Sequence, residues 1–129
     1  MELKVGMSGI FRVTVEENML AIAMKSGANP VFATPWMIAI MEAAAQDCVA
    51  EALEEGNSTV GTKVDIAHIA STPLGAQVRA EAELLEIDRR RLVFKVRAYD
   101  EFELIGEGTH ERFIVDSEKF VLKCNSKKL

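Results

Sequence analysis

Glu42 lies inside "TPWMIAIMEAAAQ", Thr34 to Gln46, an almost wholly apolar stretch whose residues one helical turn from it are Ile38, Ala39, Ala45 and Gln46. No Lys or Arg stands at the spacing of a helix-surface ion pair. Either this carboxylate is a structural ion satisfied by another element or a neighbouring subunit, or it is a desolvated group suited to general-base or nucleophilic work. His68 shares one face of an alternating stretch with Val64 and Ile66. A lone histidine there is either a hydrogen-bonded core residue or the imidazole half of an acid–base pair with Glu42. Thr34 precedes Pro35, so its first expected role is helix N-cap, with a hydroxyl that can also face a ligand. Gly61 interrupts a strand pattern, which predicts a bulge or a close backbone approach, and a free N–H there could hold an oxyanion.

Other polar clusters carry less. "GTHER", Gly108 to Arg112, puts His110 and Arg112 on one strand face and Thr109 and Glu111 on the other, as a half-solvated strand with cross-strand ion pairs does. Arg89-Arg90-Arg91 reads as an exposed turn or a diphosphate contact for a nucleotide-bearing ligand. Cys48 and Cys124 are too far apart in sequence and too few to form a disulfide framework, and read as free thiols. His68 and His110 have no Cys or His at ligand spacing, so no metal site is expected.

The elements that must position these residues follow from periodicity. A first strand is predicted over Ile10–Glu16, and Gly27, Asn29 and Pro30 then break the chain. The helix is predicted from Thr34 to about Glu55, stopping at Gly56-Asn57, with Met37, Met41, Ala44 and Cys48 on one stripe and Ile38, Ala45 and Val49 widening it. Apolar residues occupy most of its circumference, so a central helix is expected. Beyond residue 58 everything reads as strand: "TVGTKVDIAHIAS", "AQVRAEAELLEID", "RLVFKVRAYD" and "LIGEGTHERFIVD", separated by turns at Pro73–Gly75, Asp88–Arg90 and "DEFE". One strand, one long helix and four strands predict an α+β hotdog fold, a long central helix wrapped by a curved antiparallel five-stranded sheet.

With 129 residues, 49% hydrophobic and 27% charged, the chain is expected to be one folded domain over residues 1–129. A net charge of −5 argues against nucleic acid as a partner. The start "MELKVGMSGIFRVTVEE" lacks a basic segment followed by an apolar one, and the longest apolar run is broken by Glu42, so neither signal peptide nor membrane partner is expected. The expected setting is cytoplasmic.

"VFATPWMIAIME", "GTKVDIAHIASTPLG" and "IGEGTHERFIV" together resemble the fluoroacetyl-CoA-specific thioesterase-like group of hotdog thioesterases. The resemblance covers roughly residues 8 to 122 and rests on the intervals Thr34 to Glu42, Gly61 to His68 and Glu42 to His68. It implies hydrolysis of a short-chain acyl-CoA thioester by Thr34, Glu42 and His68, with Gly61 lining the acyl site and Arg112 contacting CoA or supporting the site. Phe32 and Trp36 are further candidates for the acyl pocket. The segment "NMLAIAMKSGANPVFATP" has Phe32 as its only aromatic and is shorter than the aromatic lid of the fluoroacetyl-CoA enzyme, so a general short-chain acyl-CoA thioesterase is implied. No cofactor is implied beyond coenzyme A as part of the substrate. The resemblance also implies a homodimer with sites along the subunit interface. An ideal helix puts the Cα atoms of Thr34 and Glu42 about 12 Å apart along the axis, which favours a pocket built from two subunits. The alternative from another class is a hotdog protein that binds acyl-CoA without cleaving it.

Overall fold

The structure, a computed structural model, describes residues 2–128. The elements in order are β1 (Ser8–Thr14), α1 (Ala21–Met24), α2 (Thr34–Val49), β2 (Asn57–His68), β3 (Gln77–Asp88), β4 (Arg91–Tyr99), β5 (Leu104–Asp116) and α3 (Ser117–Asn125). All neighbouring strands pair antiparallel in the order β1-β3-β4-β5-β2, with β1 and β2 at the edges. This is the hotdog arrangement expected from the sequence.

Alternation sets which side chains meet the helix. In β4, Leu92, Phe94, Val96 and Ala98 are fully buried while the residues between them are half-exposed. In β3, Val78, Ala80, Ala82 and Leu84 do the same. Against this face α2 packs Met37, Ile40, Met41, Ala44, Ala45, Cys48 and Val49. Each large side chain buried there contributes roughly 1.5–3 kcal/mol.

The structure corrects several expectations. β1 runs Ser8–Thr14 instead of Ile10–Glu16. Pairing of Ser8 with Glu83 and of Gly9 with Ala82 sets its start, and glycine is needed at position 9 because a side chain there would strike the α2 backbone, with Cys48 N only 2.8 Å from the Cβ position. The α-helix ends at Val49, followed by a 3-10 turn over Ala50–Ala52, and does not reach Glu55. Gly56, at φ +86°, makes the left-handed turn into β2. The sequence after Asp116 is helical instead of extended: the Asp116 carboxylate accepts from the Lys119 amide at 3.1 Å and caps α3. The sheet also covers only part of α2, since Ile38, Ala39, Glu42, Ala43 and Gln46 keep solvent exposure. The helix leans on β1 and β3 and meets β2 and β5 far less, which leaves part of the inner face of the edge strand β2 open. Val64, on this face, is 44% exposed. Among the described residues no helix is long and apolar enough to cross a membrane.

Candidate active site

Two groups of polar side chains flank the inner face of β2. The first joins the start of α2 to the end of β2. Ala33, not Thr34, has the extended backbone of the N-cap, and no side chain caps the helix. Thr34 is therefore the first helical residue, which corrects its expected role and frees its hydroxyl. That hydroxyl lies 2.7 Å from His68 Nδ1. His68 Nε2 is buried and has no hydrogen-bond partner within the chain. Burial holds the His68 pKa below its ordinary 6.5. A cleft of about 320 Å³ opens beside the pair, lined by Ala21, Val31, Phe32 and Ile69 as well as Thr34 and His68.

The second group surrounds Glu42, in the middle of α2. Its missing partner comes from β5: Arg112 Nη1 approaches Glu42 Oε2 at 3.6 Å, and His110 Nε2 lies 4.0 Å from the same oxygen. Arg112 is only 5% exposed, and its guanidinium is engaged on both edges. Nε donates to the Thr59 hydroxyl at 2.8 Å and Nη2 to the Thr59 carbonyl at 2.9 Å, while Nη1 meets His110 Nε2 at 3.1 Å. His110 Nδ1 in turn lies 2.8 Å from the Lys63 carbonyl. Burial pushes the Arg112 guanidinium below its usual value, and Glu42 pulls it back up. Sequence reasoning missed His110 as a member of this group; its place beside Arg112 on the inner face was the available signal.

Gly61 joins the second group through the space it leaves. A Cβ at Gly61 would sit 2.5 Å from Glu42 Oε2, 3.2 Å from His110 Cε1 and 3.4 Å from Arg112 Nη1. The expected bulge is present too, as a register shift between Gly61 and Lys63. This bulge has a geometric consequence. Residues seven apart lie on opposite faces of a regular strand, yet the extra residue Thr62 returns both Gly61 and His68 to the inner face.

Glu42 and His68 do not converge within one chain. Glu42 stands at Gly61, and Gly61 and His68 are about 20 Å apart along β2 at the ordinary strand rise. Phe32 is 1% exposed, pairs with Leu20 in an isolated bridge and forms an inner wall of the cleft. Trp36 packs partly buried against the core and is not among the cleft's lining residues. In the arginine turn, Arg89 takes a left-handed φ of 58° and Arg91 is tied to Glu86 and Glu111 at 2.8 Å each. Cys48 and Cys124 are free thiols, and burial pushes the Cys48 thiol up, away from reactivity.

This fold and geometry have close counterparts. The sequence model of the fluoroacetyl-CoA-specific thioesterase (FlK) family matches residues 15–118. The chain is 42% identical over 97 residues to the fluoroacetyl-CoA thioesterase of Streptantibioticus cattleyicolor, across 75% of this chain and 70% of that protein. A crystal structure of a mutant of the fluoroacetyl-CoA-specific thioesterase FlK superposes with a TM-score of 0.92 at 34% identity, with 99% of each chain covered. A Thermus thermophilus protein of the thioesterase superfamily superposes with a TM-score of 0.88 at 31% identity, across 95% of this chain and 91% of that one. With its five-stranded sheet, its single long helix and a match over most of its length, the chain belongs to the fluoroacetyl-CoA-specific thioesterase family of hotdog proteins.

Proposed function

We propose that this protein hydrolyses short-chain acyl-CoA thioesters in a site shared by two copies of the chain. Thr34 and His68 come from one copy, and Glu42, Gly61 and Arg112 from the other. The observation that carries this reading is the complementary vacancy of the two groups. His68 Nε2 is buried without an acceptor, while the Glu42 side chain, 41% exposed, turns a carboxylate toward the uncovered side of the same strand. β2 is an edge strand of 12 residues with an unpaired outer row of N–H and C=O groups, which favours pairing with a second copy. Antiparallel pairing centred near Asp65 sets Val64 beside the partner's Ile66 and the Gly61–Thr62 bulge beside the partner's His68. It also covers the open face of α2. A family relative, a mutant of FlK, has been crystallised with fluoroacetate and CoA together, which supports a CoA ester as the substrate. The cleft of about 320 Å³ beside Phe32, with Ala21, Val31 and Ile69 on its apolar side, suits a short acyl group. Two free thiols fit a cytoplasmic setting.

The chemistry needs no group beyond these. Glu42 takes a proton from water as the water oxygen attacks the thioester carbonyl carbon. The backbone amide near Gly61 supports the oxyanion. In this reading the Thr34 hydroxyl donates a hydrogen bond to His68 Nδ1, and the ring carries its proton on Nε2. That N–H then faces the departing sulfur. A thiol of ordinary pKa, roughly 8.5, leaves readily as thiolate when so bonded. The carbon–sulfur bond breaks, the acid is released, and the proton held by Glu42 passes to the thiolate.

Thiol release from a panel of short acyl-CoAs tests the reaction, with Glu42→Ala and His68→Ala expected to be inactive. Mixing the two inactive variants tests the shared site. Random exchange makes half the dimers mixed, each with one intact site of two, so about a quarter of wild-type activity returns. Activity that never returns on mixing sinks the shared site. A wild type that binds CoA esters but releases no thiol would instead make this a binding protein.

A further inference from the structure

Among the described residues His110 is the most deeply buried titratable group, at 1% exposed, and the hydrolytic steps above make no use of it. Its hydrogen bonds define its protonation. The Lys63 carbonyl can only accept, so Nδ1, 2.8 Å away, carries the proton. Arg112 Nη1 can only donate, so Nε2, 3.1 Å away, presents its lone pair. Both nitrogens are committed, and the ring is neutral. Burial, with Phe94 alongside, and then the neighbouring Arg112 charge favour that form, outweighing the Lys63 carbonyl, Glu42 and Glu111 on the other side. His110 therefore has no proton to exchange with substrate.

Its effect falls on Arg112. Thr59 holds the guanidinium by Nε and Nη2 along one edge, and His110 holds Nη1 at the other. Glu42, at 3.6 Å, is too distant to fix the guanidinium by itself. The order of dependence thus runs from His110 and Thr59 to Arg112, and from Arg112 to Glu42. A neutral acceptor has a specific advantage here. A carboxylate at this position would take the guanidinium's charge for itself, whereas an imidazole satisfies the N–H and leaves the full positive charge facing Glu42.

We infer that His110 is a positioning residue, locked as the Nδ1–H tautomer between the Lys63 carbonyl and Arg112, which keeps the guanidinium aimed at the Glu42 carboxylate. This rests on Glu42 acting as the base of the thioesterase reaction. Two variants divide the side chain's functions. His110→Asn keeps a donor near the Nδ1 position for Lys63 but offers nothing at Nε2. His110→Gln reaches the Nε2 position with an amide oxygen that can accept from Arg112.

The expected result is a loss of kcat on the order of 10-fold to 100-fold in His110→Asn with little change in KM, because a base displaced by about an ångström is poorly aimed. His110→Gln should recover most of kcat. Equal losses in both, or no loss in His110→Asn, overturn the inference. A second readout needs no substrate: nitrogen-15 spectra of the imidazole and guanidinium groups in the intact protein. Wild type and His110→Gln should keep distinct, slowly exchanging Arg112 Nη–H signals, and His110→Asn should lose them. Wild-type His110 should report a protonated Nδ1 and a bare Nε2; the reverse tautomer overturns the inference. A wild type that cleaves no thioester would refute the enzymatic reading, and these spectra would still decide the contact between His110 and Arg112.

Discussion

The carboxylate of Glu42 occupies space that any side chain at position 61 would need. The nearest oxygen is 2.5 Å from where a Gly61 Cβ would stand, closer than real Cβ atoms approach. Glycine is required there by that approach, since the position has no positive φ. The prediction belongs to this single methyl group. Gly61→Ala should push the carboxylate off its Arg112-facing position and lower kcat on the order of 100-fold. The cost in stability should stay within about 3 kcal/mol, because Glu42 can swing toward solvent. Thiol-release kinetics beside thermal melts check this, and an alanine variant of near wild-type activity would remove Gly61 from the site.

At the scale of elements, the start of α2 and the bulge in β2 do the aiming. Thr34 resembles a cap in sequence, since Thr before Pro is a common helix opening. The structure assigns the N-cap to Ala33 and gives the Thr34 hydroxyl to His68 across the gap between α2 and β2. The two roles predict different outcomes. Loss of a capping threonine costs about 1 kcal/mol of stability. Thr34→Val should instead leave the melting temperature nearly unchanged while thiol release falls sharply, because the His68 tautomer is no longer fixed. A clear drop in melting temperature with activity preserved would return Thr34 to the capping role. The bulge at Thr62 complements this contact by bringing Gly61 and His68 to one face of a strand on which their spacing would otherwise oppose them.

Across the whole molecule, two buried or half-buried histidines tie stability to pH. Burial holds both His68 and His110 below their ordinary 6.5. Between the folded values and 6.5 the unfolded chain binds more protons than the folded one. Stability therefore rises with pH through that window, is complete above about pH 6.5 and is lost as pH falls through the folded pKa values. The melting temperature of wild type should decline below pH 6.5, and His110→Gln, with no proton to gain, should decline less. Parallel declines in the two proteins would mean that the acid sensitivity lies elsewhere.

The sequence by itself determined a good deal of this protein. Period-two alternation located β3, β4 and β5 to within a residue or two, because a half-buried strand must alternate and nothing else in these stretches competes. The apolar run from Trp36 to Val49 predicted the central helix, and the motifs around Thr34, Glu42, Gly61 and His68 predicted the family. α3 was less legible: its residues are all outside the core, its few apolar residues directly follow a strand, and the Asp116 cap was the sign that separates the two. What tertiary structure alone decided is which polar groups meet. Arg112 lies 70 residues from Glu42 in sequence, and only the β5–β2 ladder and the packing of α2 bring them to 3.6 Å. A shift of one residue at the bulge then decides which face Gly61 presents. Local pattern records each residue's preference for core or solvent, whereas the pairing of charges depends on strand register and helix placement, which no local window contains.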